Sequence, residues 1–151
     1  GVEGGLGGLK GGLRKSLPNT VMYKKSVGYH GFNMYAYAML KQAFPEHPFW
    51  LSNRFNHLLR PVRDERFEAE LDQSIFSWHY NVTGIEFAFA AETFLEDTDL
   101  AGRWLNKQFN RTWLSEQEPL VRYATDPHTA NARLYEAVRL KSDYRIQLLH
   151  E

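Results

Sequence analysis

The chain has no cysteine among its 151 residues. That excludes a disulfide framework and a thiolate metal site, and leaves the compartment open. It has no net charge, with 18 basic and 18 acidic side chains. The electrostatic case for nucleic acid or an anionic membrane as main partner is therefore absent. It has no apolar run near the roughly 18 residues that a membrane span needs, and its glycine-broken N-terminus is not a signal peptide. There is no HExxH, the six histidines are scattered, and no GxGxxG follows a strand pattern. No metal site and no cofactor are therefore expected. β-branched residues are sparse, and no segment reads as a strand.

Aromatic side chains are plentiful, at 15% of the chain. Large rings are expected to dominate packing or to line a cleft. Residues 1–17 concentrate the glycines and read as a flexible arm or linker, or as a glycine-rich loop approaching a ligand. Residues 18–151 read as one all-α domain. Helices are expected at 30–44, stopped by Pro45, and at Pro48–Leu59, ending before Pro61. An amphipathic helix is expected at 64–76, with Phe67, Leu71 and Ile75 on one stripe. A further helix covers 84–95. Asp97 or Asp99 caps the next, where Leu105, Phe109 and Trp113 form a stripe. Asp126 caps a last helix with Pro127 at its first position, running from about His128 to Leu140, a continuation to Leu149 remaining open.

The helices at 30–44 and 84–95 are apolar nearly all round, which predicts burial on most sides; those at 64–76 and 99–113 carry one stripe. Two layers follow, an inner set of buried helices and an outer set of amphipathic ones. A weak internal repeat supports this at an offset of about 50 residues, the length of a helical hairpin. Tyr29-His30 and Trp78-His79 open its two copies, and Ala36-Tyr37-Ala38 corresponds to Ala88-Phe89-Ala90.

"GYHGFNMYAYAMLKQAFPEHPFW", "NVTGIEFAFAAETFL" and "DPHTANARLYEAVRL" resemble hairpins of the (α/α) toroid enzymes that act on carbohydrates. That group holds the N-acylglucosamine 2-epimerase-like isomerases, the six-hairpin glycosidases and the toroid polysaccharide lyases. The resemblance implies stacked helical hairpins forming part of an (α/α) toroid. Such rings have roughly five to seven hairpins and this chain supplies about three, so further chain segments or subunits are expected to complete the ring. It also implies a saccharide substrate, handled by an isomerase, lyase or hydrolase in an inner-ring cleft. The alternative is a non-catalytic helical-repeat module that binds a protein.

In the resembled enzymes the N-terminal ends of inner helices face the cleft. His30, His79 and Glu86 stand there as catalytic candidates, because His and Glu exchange protons near neutral pH. Tyr29, Asn33, Trp78, Asn81 and Arg54 stand there as substrate-binding candidates, since rings stack on sugar faces and polar side chains read hydroxyls. Each has a structural reading too. The histidines can bond backbone carbonyls. Glu86 can pair with Arg54 or Arg133, or close a capping box with Thr83. The rings can be core. Asn81-Val82-Thr83 and Asn110-Arg111-Thr112 match the glycosylation sequon, at about the frequency chance gives.

Overall fold

The structure, a computed structural model, describes residues 20–149. The glycine-rich arm lies outside the described residues. Within them the chain is helical and contains no strand, and no helix is long and apolar enough to cross a membrane. In chain order come α1 (Val21–Gly28), α2 (His30–Ala43), α3 (Asn53–Leu59), α4 (Glu65–Asp72), α5 (Thr83–Leu95), α6 (Thr98–Thr112) and α7 (Pro127–Ala132). Short 3-10 turns cover Pro48–Leu51, Arg60–Arg63 and Arg133–Arg139.

α5 is the axis of the packing. Every residue from Thr83 to Ala91 is buried, because α2 and α6 lie along it and the turns at 60–63 and 133–139 close its remaining sides. Small residues set the spacing. A Cβ at Gly84 would overlap the Trp104 carbonyl oxygen, so α5 and α6 approach there at backbone distance. Rings fill the rest: Phe87 meets Trp104 at 4.8 Å and Phe55 meets Phe94 at 4.6 Å between centroids. Fully burying side chains of this kind contributes about 1.5–3 kcal/mol each.

α2 carries a similar apolar circumference but buries only Gly31, Met34, Tyr35 and Ala38. Phe32, Leu40 and Phe44 stay exposed. The expectation that α2 is buried on most sides is thus corrected. α5 covers one face, through contacts such as Tyr35 on Phe89 at 5.0 Å, and no described element covers the opposite one.

Helix ends follow local chemistry. Asp97 accepts from Leu100 N and Asp126 from Thr129 N, capping α6 and α7. Ser52 Oγ accepts from Phe55 N, which splits the expected 48–59 helix into a 3-10 turn and α3. α4 stops at Asp72 rather than 76. Ser77 Oγ donates to the Leu71 and Ser74 carbonyls, and Ser74 Oγ donates to Lys24 O, so hydroxyls compete with the next helical turn. Ile75 is left exposed.

The last helix is also shorter than expected. After Ala132 the chain tightens to 3-10 geometry, in which residues three apart eclipse, and Arg133 Nε meets Glu136 Oε1 at 2.8 Å. From Lys141 to Leu149 there is no helix at all. This segment runs extended over α5 and α6, with alternate residues turned inward.

Candidate functional site

Val82 occupies the N-cap of α5 and offers no side-chain acceptor. The acceptor comes from α6 instead: Gln108 Oε1 takes Gly84 N–H at 2.9 Å, while Gln108 Nε2 donates to Trp78 O. The expected Thr83–Glu86 capping box does not form. Thr83 is already the first helical residue, its hydroxyl has no hydrogen-bond partner, and Glu86 is engaged elsewhere.

Glu86 is wholly buried and accepts from Arg133 Nη2 at 2.5 Å through Oε1. The same guanidinium donates from Nη1 to Asn81 Oδ1 at 3.0 Å and from Nε to Glu136 Oε1. One cation therefore holds three acceptors, two of them carboxylates. Of the two arginines weighed as partners, Arg133 fills the role; Arg54 lies exposed on α3. Gly31 makes room for the arrangement, since a Cβ there would lie 2.6 Å from Glu86 Oε2. That oxygen and Glu136 Oε2 are buried without hydrogen-bond partners.

Desolvation pushes the Glu86 carboxyl up to about 8, with Arg133 opposing and Glu136 reinforcing the shift. Burial also raises Glu136, against the pull of Arg133. One guanidinium cannot neutralise two carboxylates out of water, so the cluster holds a proton near neutral pH.

Outside this cluster lies an aromatic rim. Phe32 faces the Arg133 guanidinium at 5.8 Å. Tyr29 contacts Phe32, Phe76 and Tyr80 at centroid distances of 6.0–6.3 Å, and its hydroxyl donates to Tyr80 Oη at 3.3 Å. Lys25 Nζ lies 5.6 Å from the Tyr29 ring centroid. Phe32 and Tyr80 are each about half exposed, at 47% and 48%. Arg133 joins the rim to the buried acid beneath it.

The other candidates are placed as follows. Asn81 is buried, and its Nδ2 donates to Gly28 O and Phe76 O, which closes that sequon sterically. His30 Nε2 bonds Leu58 O at 2.8 Å and packs against Phe67 and Phe87; burial lowers its pKa. His79 Nδ1 bonds Arg122 O and its ring meets Tyr123; burial again lowers its pKa. Trp78 is core, with Nε1 on Asp72 and the Arg111 guanidinium over its ring. Asn33 is exposed on α2. The structure thus joins Asn81 and Glu86 on Arg133, with Tyr29 one ring away through Phe32. It leaves His79 on Arg122, Trp78 on Asp72 and Arg54 on the surface of α3.

Sequence reasoning missed Glu136, Phe32 and Tyr80, and weighed Arg133 only as a partner for Glu86. A signal for Glu136 existed, because Arg133 and Glu136 stand three residues apart in "ARLYE". Nothing local marks the long-range meeting of Arg133 with Glu86.

Comparison with curated proteins gives a relative, Archaeal glycosylation protein Q of Haloferax volcanii. The two are 37% identical over 137 residues, which is 90% of this chain and 37% of that protein. The chain thus spans little more than a third of its relative's length. No protein-family profile matches the chain, and no solved structure does.

Proposed function

We propose that this chain is a segment of a saccharide-processing protein, and that the rim of Tyr29, Phe32 and Tyr80 around Arg133 is where it meets sugar. One observation carries the reading: the half-exposed Phe32 ring faces a guanidinium that is anchored from below by a buried acid, and Tyr29 and Tyr80 continue the ring cluster beside it. Ring faces stack on the apolar faces of pyranoses, and a fixed planar donor reads hydroxyl oxygens. The printed name of the relative, a glycosylation protein, supports the substrate class.

Glu86 enters this reading as a positioning residue. It holds the orientation of Arg133, and with Glu136 it keeps a proton within one side chain of the rim. Acid–base chemistry of the epimerase, lyase or glycosidase type needs such a proton, and the toroid resemblance points the same way. His30 and His79 are bonded to the Leu58 and Arg122 carbonyls and take no part in the rim in this reading. Further chain segments of the whole protein supply the opposite wall, as a ring of hairpins would. The test is saccharide binding to the intact protein against Arg133→Lys and Glu86→Gln. Lysine keeps the charge and loses the planar fork, so affinity should fall about ten-fold, the loss of one charged hydrogen bond. Unchanged binding in both variants would remove the site from the account.

A second reading, a non-catalytic helical-repeat module that binds protein, is favoured by the exposed face of α2 with Phe32, Leu40 and Phe44. Melting the aromatic rim with Phe32→Ala would not distinguish the two. Abolished turnover with retained partner capture would favour the enzyme.

A further inference from the structure

The segment from Lys141 to Leu149 forms no helix and lies against α5 and α6. Side chains of α5 and α6 hold its backbone. Glu92 accepts from Lys141 N at 2.9 Å through Oε2, and from Ser142 N at 3.0 Å and the Tyr144 hydroxyl at 2.6 Å through Oε1. Asn106 Oδ1 accepts from Gln147 N at 2.6 Å. Asn110 serves both groups of the strap, accepting from Leu149 N at 2.6 Å and donating to Gln147 O at 2.8 Å.

Asn106 and Asn110 lie four residues apart, so both project from one face of α6. Each also reaches into its own helix or its neighbour; Asn106 Nδ2, for example, donates to Gly102 O. Gly102 on the same face leaves a flat floor, where a Cβ would touch the Tyr144 ring at 3.5 Å. Tyr144, Ile146 and Leu148 turn inward and pack on the core, while Asp143, Arg145 and Gln147 turn outward. This is the period of a strand, laid on helices.

Recognition of this kind separates affinity from specificity. Bonds to main-chain groups do not depend on the bound sequence, and pockets for alternate side chains do. We propose that the α5–α6 face is a groove that reads an extended peptide, that residues 141–149 fill it in cis, and that a segment with an aromatic–x–aliphatic–x–aliphatic pattern takes their place in trans when the strap is displaced. The strap itself defines that occupant, with its backbone bonds made and its alternate side chains packed inward. The inference is independent of the saccharide reading, because none of its residues belongs to the Arg133 rim.

The experiment uses the full chain and a labelled peptide of sequence KSDYRIQLL, residues 141–149, with binding read by fluorescence anisotropy. In the native chain the tethered strap competes at an effective concentration of about millimolar, so the peptide binds weakly. In Ile146→Asp with Leu148→Asp the strap cannot seat its apolar side chains, and the peptide should bind about ten-fold or more tighter. Adding Asn106→Ala and Asn110→Ala should abolish that gain, and a scrambled peptide that breaks the alternation should not bind. Equal binding of the scrambled peptide, or a gain that survives loss of both asparagines, would overturn the groove. If the aspartate variant does not fold, hydrogen exchange of the native chain decides. The amides of Ser142, Gln147 and Leu149 should open together and before those of Phe87 to Ala91. Exchange of all of them only through global unfolding would show a strap that is not displaceable and would overturn the proposal.

Discussion

α2 and α5 look alike in sequence and differ in the folded molecule. Both are apolar around most of their circumference, both begin beside an aromatic–His pair, and they pack against each other. α5 has neighbours on every side and buries nine consecutive residues. α2 has α5 on one side and keeps Phe32 and Leu40 half exposed. An apolar circumference therefore states a capacity for burial, and the number of neighbouring elements decides how much of it is used. The face that α2 leaves uncovered is also the one that brings Phe32 to Arg133.

The largest way to sharpen this contrast is to truncate a ring in each helix. Phe87→Ala should cost about 3–5 kcal/mol, from lost transfer energy plus a cavity between α5 and α6. Phe32→Ala should cost under about 0.5 kcal/mol, as surface substitutions do. Urea unfolding of both variants measures this directly. Equal losses would mean that α2 is covered on both faces in solution.

Next in size is Arg133→Ala, which strands two buried carboxylates at the α2–α5 contact. Breaking a buried pair costs about 3–5 kcal/mol when a charge is left behind. Glu86 already holds its proton at pH 7, so a smaller loss, about 2–3 kcal/mol, is expected there. The same unfolding experiment at acidic pH should show a smaller loss, since both carboxyls are then protonated.

The pH dependence follows from the same cluster. The folded state keeps the Glu86 proton up to about pH 8, whereas the unfolded chain releases it near pH 4.3. Between these values the folded state binds more protons, so stability falls as pH rises, by at most about 1.4 kcal/mol per unit, and levels off above the folded value. Glu136, raised in the same sense, adds to the slope. Glu86→Gln should remove most of the slope, with melting followed from pH 5 to pH 8.5. A wild-type melting temperature as flat as that of the variant would show that Glu86 ionises normally.

What the sequence made legible was local. Helix class, the Pro45 stop, the Asp97 and Asp126 caps and the stripe of α6 all rest on neighbours within a few residues, and the structure has them. What it hid was set by distant partners. Nothing near Val82 announces that Gln108 caps α5. Ser74 and Ser77 end α4 through hydroxyl bonds that the apolar stripe of Phe67, Leu71 and Ile75 masks. The Tyr144–Ile146–Leu148 alternation does not read as a strand, and the last helix stays open to Leu149, because an extended segment without a sheet has no place in a helical pattern until Glu92, Asn106 and Asn110 are seen to supply the bonds. In the candidate site, Glu86 and Asn81 were readable because they sit at a helix start. Glu136 and Phe32 join them only through Arg133, which lies 47 residues from Glu86 in the chain.

The smallest expected effect on stability belongs to the rim, where the effect on binding should be greatest. The decisive measurement is calorimetric titration of the intact protein with a panel of neutral, amino and acidic hexoses, repeated with Phe32→Ala combined with Tyr80→Ala. Stacking on two half-exposed rings contributes on the order of 1–3 kcal/mol to a bound sugar, by analogy with other stacked rings. The account predicts that at least one class of hexose binds the native protein, and that the double variant loses about ten-fold or more in affinity while its melting temperature holds. An affinity unchanged by loss of both rings, or no binding of any hexose by the native protein, would contradict it.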